Sequence, residues 1–169
     1  MKIELREWKK ADAFSLMIAA NNANVSSKLR DGFPFPYTKK DADEWIALNE
    51  YKEPVTNFAI VVDEQIAGGI GLVQKEDIYR RNAEIGYWLA EPFWHKGIAT
   101  EAVRQLVDHI FSKFDIDRLY AEIFSNNPAS MKVLEKNGFH LEAVHKKSII
   151  KNNQMLDGYL LVKFRKGIL

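Results

Sequence analysis

The segment Glu91-Pro92-Phe93-Trp94-His95-Lys96-Gly97-Ile98-Ala99-Thr100-Glu101-Ala102 joins a strand-like run to a long amphipathic pattern, and its geometry suits an anion. Four amide N–H groups at a helix start have no intrahelical acceptor, and the helix dipole adds about half a positive charge there, so backbone alone can hold a pyrophosphate. Gly97 and Ala99 leave room for it. The commoner phosphate loops do not match: no G-x-x-x-x-G-K-[ST] is present, and Gly69-Ile70-Gly71 precedes no helix. His95, His109, His140 and His145 lack ligand spacing, so they read as surface or packing residues and no metal is expected. With no cysteine in the chain, thiolate zinc sites, disulfides and a cysteinyl acyl-enzyme are excluded.

A second marked segment runs Asn127-Pro128-Ala129-Ser130-Met131-Lys132-Val133-Leu134-Glu135-Lys136-Asn137-Gly138-Phe139. Asn127 is a strong N-cap, Pro128 suits the first helical position, and Asn137-Gly138 supplies a left-handed stop.

The elements that must carry these segments follow from periodicity. Ile3 and Leu5 alternate with charged residues, which predicts an opening strand. Phe14, Met17, Ile18, Val25 and Leu29 predict two short helices between Ala11 and Arg30, and the prolines in Gly32-Phe33-Pro34-Phe35-Pro36-Tyr37 make an aromatic loop. Thr38 caps a helix carrying Ala42, Trp45, Ile46 and Leu48 to about Tyr51, with Asp41 at the capping-box position. Asn57–Val62 and Ile66–Val73 read as an antiparallel hairpin, whose three glycines imply a bulge or a close backbone approach. Ala83–Leu89 reads as a central strand. Ala99, Ala102, Val103, Leu106, Val107, Ile110, Phe111 and Phe114 recur every three or four residues, an amphipathic helix of about four turns. Arg118–Ser125 returns as a strand parallel to Ala83–Leu89, and Leu141–Ile150 with Met155–Phe164 form a last pair. Mixed helix and strand make the class α/β or α+β.

A length of 169 residues with no linker or repeat is read as a single domain, 1–169. With 24 Lys plus Arg against 23 Asp plus Glu the net charge is +1, which favours neither a nucleic-acid nor a membrane partner. The opening residues lack the apolar core of a signal peptide, so a cytoplasmic location is the expectation.

Trp94-His95-Lys96-Gly97-Ile98-Ala99 resembles the [Q/R]-x-x-G-x-[G/A] acetyl-CoA loop of the GNAT N-acetyltransferases, and residues 127–139 resemble that superfamily's N-x-x-S…L-E-K-x-G-F motif. The form is closest to the branch that acetylates ribosomal-protein N-termini, which often has Trp where other members have Gln or Arg and shares Ala83-Glu84-Ile85-Gly86-Tyr87-Trp88-Leu89. The likeness covers nearly the whole chain; His95 departs from the small residue, often Gly, usual at its position.

This resemblance implies a mixed, largely antiparallel sheet of about seven strands, with a parallel central pair splayed around acetyl-CoA. Tyr87, Trp88 and Leu89 would offer main-chain groups to the pantetheine arm, and Trp94, His95, Lys96, Gly97, Ile98, Ala99 and Thr100 would form the pyrophosphate loop. Asn127 would bond the pantetheine region and Ser130 would lie near the sulfur, while Gly32 to Tyr37 would help shape the acceptor site. Amine attack on a thioester makes an oxyanion and expels a thiolate, so a backbone N–H near Leu89 and the Ser130 hydroxyl would serve those two charges.

The attacking amine must be neutral. At pH 7 deprotonation costs about 1.1 kcal/mol for an α-amine of pKa ~7.8 and about 4.6 kcal/mol for a lysine of pKa ~10.4. Glu84 and Glu122, on strands flanking the expected thioester, are the candidate proton acceptors. The reading is direct acetyl transfer to a primary amine, foremost a protein N-terminal α-amine, by a monomer or homodimer. The alternatives are a small-molecule amine acetyltransferase, acting on a polyamine, an aminoglycoside or an amino-acid analogue, and a non-catalytic CoA-binding module.

Overall fold

The computed structural model describes residues 1–168; Leu169, the last position of the expected domain span, lies outside the described residues. The strands are β1 (Ile3–Glu7), β2 (Asn57–Val62), β3 (Gln65–Gln74), β4 (Asn82–Leu89), β5 (Arg118–Phe124), β6 (His140–Lys151) and β7 (Gln154–Phe164). The helices are α1 (Ala13–Ala20), α2 (Ala23–Ser26), α3 (Lys39–Asn49), α4 (Ile98–Lys113) and α5 (Pro128–Lys136). Hydrogen bonding orders the seven strands β1-β2-β3-β4-β5-β7-β6, with β4 and β5 parallel, so the class is α+β with a mixed sheet, as expected. No helix among the described residues is long and apolar enough to cross a membrane.

The chain divides into two compact units. The first comprises Met1–Gly71 and Tyr87–Ala102. Here β1 runs antiparallel to β2, from Ile3 opposite Val62 to Glu7 opposite Phe58, and β2 runs antiparallel to β3 with a slip between Ile60 and Val61. The glycine-rich β3 has both features its sequence implied: that irregularity, and a close approach at Gly68, where a Cβ would run into the Trp88 carbonyl oxygen.

The helix faces of this unit differ from the expected ones. On α1 the buried residues are Ala13, Leu16 and Ala20, while Phe14 and Ile18 are 61% and 60% exposed. On α3 they are Ala42, Ile46 and Asn49, and Leu48 points outward. The reason is steric. Residues i, i+3 and i+7 share a face whichever set is apolar, and small Ala13, Ala20 and Ala42 let these two touching helices approach closely. Thr38 caps α3 through a box with Asp41, as anticipated, but the helix stops at Asn49.

The second unit comprises Leu72–Gly86 and Val103 onward. Its β5 alternates strictly: Leu119, Ala121 and Ile123 are buried on one face, and Tyr120, Glu122 and Phe124 are half-buried on the other. Val103, Leu106 and Ile110 of α4 and Leu134 of α5 are fully buried. The parallel pairing joins Asn82–Glu84 to Arg118–Tyr120 and stops there, although β4 itself continues to Leu89. β5 pairs along its length with β7, and β7 with β6.

Candidate active site

The loop expected to take an anion belongs to the first unit. After β4, Pro92 opens a single 3-10 turn, Glu91–Phe93, and the chain then enters α4 at Ile98. His95 and Gly97 both take left-handed backbone conformations, at φ 61° and 76°, the kind of backbone from which anion-binding nests are built. His95, Lys96 and Gly97 are exposed, nothing would meet a Cβ at Gly97, and Ile98 is buried as the anchor of the helix. The Trp94 indole N–H donates to the Leu89 carbonyl at 2.9 Å, tying the loop to the end of β4. Glu91 accepts from the side-chain amides of Asn22 and Asn24, whose bonds keep its carboxyl below the usual range. The loop therefore presents amides and no carboxylate among residues 94–100, a donor set that fits a pyrophosphate. Ala90 N–H is committed to the Ala67 carbonyl.

The aromatic loop lies in the same unit. Phe33 meets Trp88 edge-on at 5.3 Å between ring centroids and Tyr37 at 5.1 Å. Gly69 makes room for the Trp88 indole, since a Cβ there would lie 2.8 Å from its nitrogen. Burial pushes the Tyr37 phenol up to about 12, so it is un-ionised near neutrality.

The second unit holds Ser130, Asn127 and both candidate carboxylates. Asn127 caps α5 as its sequence indicated, its side-chain oxygen accepting the Ser130 N–H at 3.3 Å. Ser130 is half-buried on the first helical turn. Glu84 stands opposite Tyr120 in the parallel register, so Glu84, Tyr120 and, two residues on, Glu122 share one sheet face. Gly86, on that face of β4, is exposed with nothing within 4 Å of a Cβ, leaving open space above the strand.

Each carboxylate has its own partner. Glu84 is paired with Lys75 at 3.4 Å, and Lys75 lies over the Tyr120 ring, 5.6 Å from its centroid. The Tyr120 hydroxyl first, and Glu84 after it, hold the Lys75 ammonium above its usual range. Glu122 is bonded instead to His145, with Nδ1 2.9 Å from Oε1. His145 read as a surface or packing residue in the sequence, because only the β5-β7-β6 register, His145 opposite Gly158 and Gly158 opposite Phe124, brings it beside Glu122.

Comparison with known proteins follows the same lines. The model of the acetyltransferase (GNAT) domain matches residues 2–140. A probable N-acetyltransferase of Bacillus subtilis (strain 168) is 32% identical over 157 residues, covering 85% of this chain and 86% of its own. A ribosomal-protein-serine acetyltransferase of Escherichia coli (strain K12) is 31% identical over 96 residues, 57% of this chain and 53% of its own. The ribosomal L7/L12 α-N-protein acetyltransferase RimL, solved in complex with coenzyme A, has the same fold at a TM-score of 0.85 and 23% identity, over 97% of this chain and 94% of that one. On the domain match and the relative aligned along most of both chains, this protein belongs to the GNAT acetyltransferase family and is an N-acetyltransferase.

Proposed function

We propose that the protein moves an acetyl group from acetyl-CoA directly to the α-amine at a protein N-terminus. The observation that carries the acetyl-CoA half is the entry to α4, where His95 and Gly97 adopt left-handed conformations in a segment, residues 94–100, that carries no carboxylate; the first acidic side chain of the helix is Glu101. Trp94, His95, Lys96, Gly97, Ile98, Ala99 and Thr100 would take the pyrophosphate by main chain, with the Trp94 bond to Leu89 fixing the loop. Tyr87, Trp88 and Leu89 lie past the end of the β4–β5 pairing, and that supports their offering main-chain groups to the pantetheine arm.

In the reaction the neutral amine attacks the thioester carbonyl, a C–N bond forms, and the C–S bond breaks. A backbone N–H near Leu89 takes the oxyanion charge, and Ser130, set by its cap on Asn127, protonates or solvates the leaving sulfur. Asn127 adds a contact to the pantetheine region.

A protein α-amine is supported on two grounds. Its neutral form costs about 3.5 kcal/mol less at pH 7 than that of a lysine, and the relative from Escherichia coli is named for acetylating ribosomal-protein serine. The aromatic Phe33, edge-on to Trp88, supports the Gly32–Tyr37 loop as the wall that takes the first side chain of the acceptor. Offering acetyl-CoA with an intact ribosomal protein bearing a free N-terminus, and separately with spermine, tests the acceptor. Acetylation of the ribosomal protein alone is the expected result, and turnover confined to the polyamine would move the acceptor to small amines.

A further inference from the structure

We infer that His145 is the proton acceptor for the attacking amine and that Glu122 is its positioning residue. The inference rests on the reading of the chain as a direct acetyl-to-amine transferase and deepens it by naming the base.

The pair is built rather than incidental. Glu122 Oε1 lies 2.9 Å from His145 Nδ1, so the carboxylate fixes the imidazole with its proton on Nδ1 and leaves the Nε2 lone pair directed elsewhere. His145 is exposed enough to meet an incoming amine, while Glu122 sits deeper, with 46% and 30% of their side-chain surfaces open. The backbone opposite has been cleared for this contact: a Cβ on Gly158 would stand 2.5 Å from Glu122 Oε1 and 3.1 Å from Ser148 Oγ.

β6 also breaks its register here, between His145 and Ile149, with Lys147 at φ 51°. The irregularity is pinned at three points. Asp157 accepts the Lys147 N–H at 2.8 Å, Asp157 pairs with Lys146 at 3.0 Å, and the Ser148 hydroxyl donates to the His145 carbonyl at 3.0 Å. Bulges next to reacting groups re-aim a side chain, and this one sets the direction of His145. The charged groups around the imidazole are thus Glu122 from β5, Asp157 from β7 and Lys146 and Lys147 from its own strand. Glu84, the other carboxylate on this face, is already neutralised by Lys75.

The proton balance is complete. The ammonium form of the acceptor gives one proton to His145 Nε2, and the resulting amine attacks the thioester. The second N–H proton leaves with the thiolate as the C–S bond breaks, and the imidazolium returns its proton to water.

The test is steady-state kinetics of wild type, His145→Ala, His145→Asn and Glu122→Ala against an α-amine peptide, with acetyl-CoA affinity measured by calorimetry. The expected result is a fall in kcat of roughly 100-fold for both His145 variants, with acetyl-CoA binding unchanged, partial rescue of His145→Ala by added imidazole, and loss of the acid limb of the pH–rate profile. Nitrogen NMR of histidine-labelled protein should show His145 as the Nδ1–H tautomer in wild type and lose that preference in Glu122→Ala. His145→Ala turning over within about threefold of wild type with the same profile overturns the inference while leaving acetyl transfer standing. A wild type that binds acetyl-CoA and acetylates no amine overturns the transferase reading itself and this inference with it.

Discussion

At the residue scale, the proposed pyrophosphate loop works through its backbone. His95 holds a left-handed conformation that costs a non-glycine residue roughly 1 kcal/mol, and glycine there would avoid that strain but lose about 0.5–1 kcal/mol more chain entropy on folding. The two effects nearly cancel, so His95→Gly should leave both stability and acetyl-CoA affinity close to wild type. His95→Val, whose branched Cβ tolerates positive φ poorly, should lower stability by about 1–2 kcal/mol and weaken acetyl-CoA binding. Urea denaturation and calorimetry on the two variants check both statements. Gly158→Ala addresses the other unit: its methyl group would displace the Glu122 carboxylate, so kcat should fall while the KM for acetyl-CoA holds. The loop and the caps were legible in the sequence because glycine, proline and asparagine act within one turn of where they stand. His145 was not, since its role depends on a strand register interrupted by an irregularity that no local residue pattern announces.

At the scale of elements, the pinned irregularity of β6 should behave as a unit. Hydrogen bonding from the Lys147 N–H and then from Lys146 holds the Asp157 carboxyl below its usual range. A carboxylate whose folded pKa is lower than its unfolded one contributes stability above its unfolded pKa of about 4 and loses that contribution as pH falls through the folded value. Melting temperature of wild type should therefore drop more steeply below about pH 4 than that of Asp157→Ala. The same variant should show reduced kcat at neutral pH with ordinary acetyl-CoA affinity. At α5, removing the Asn127 cap by Asn127→Ala should cost about 1 kcal/mol of stability and, through the Ser130 N–H it holds, lower turnover. The strands and helices carrying these groups were legible with ends within a few residues, α4 from its 3.6-residue period and α5 from the capping residues at its two ends. The buried faces of α1 and α3 were not. Their larger apolar residues include exposed Phe14, Ile18 and Leu48, and close helix approach selected alanines for the interior instead.

For the whole molecule, a chain without cysteine has no thiol to carry an acyl-enzyme, and the proposed grip on a polyanion by backbone amides needs no basic surface, in keeping with a net charge of +1. Initial rates at varied acetyl-CoA and amine should give intersecting double-reciprocal lines, as a ternary complex requires; parallel lines would indicate an acyl-enzyme. The central claim, acetyl transfer to an α-amine, is tested most directly with two peptides of one sequence. One carries a free N-terminus and no lysine, and the other a blocked N-terminus and a single lysine. With acetyl-CoA and the purified protein, mass spectrometry should show one added acetyl group on the first peptide and none on the second at neutral pH. Acetylation of the lysine peptide alone, or of neither, would rule out transfer to an α-amine.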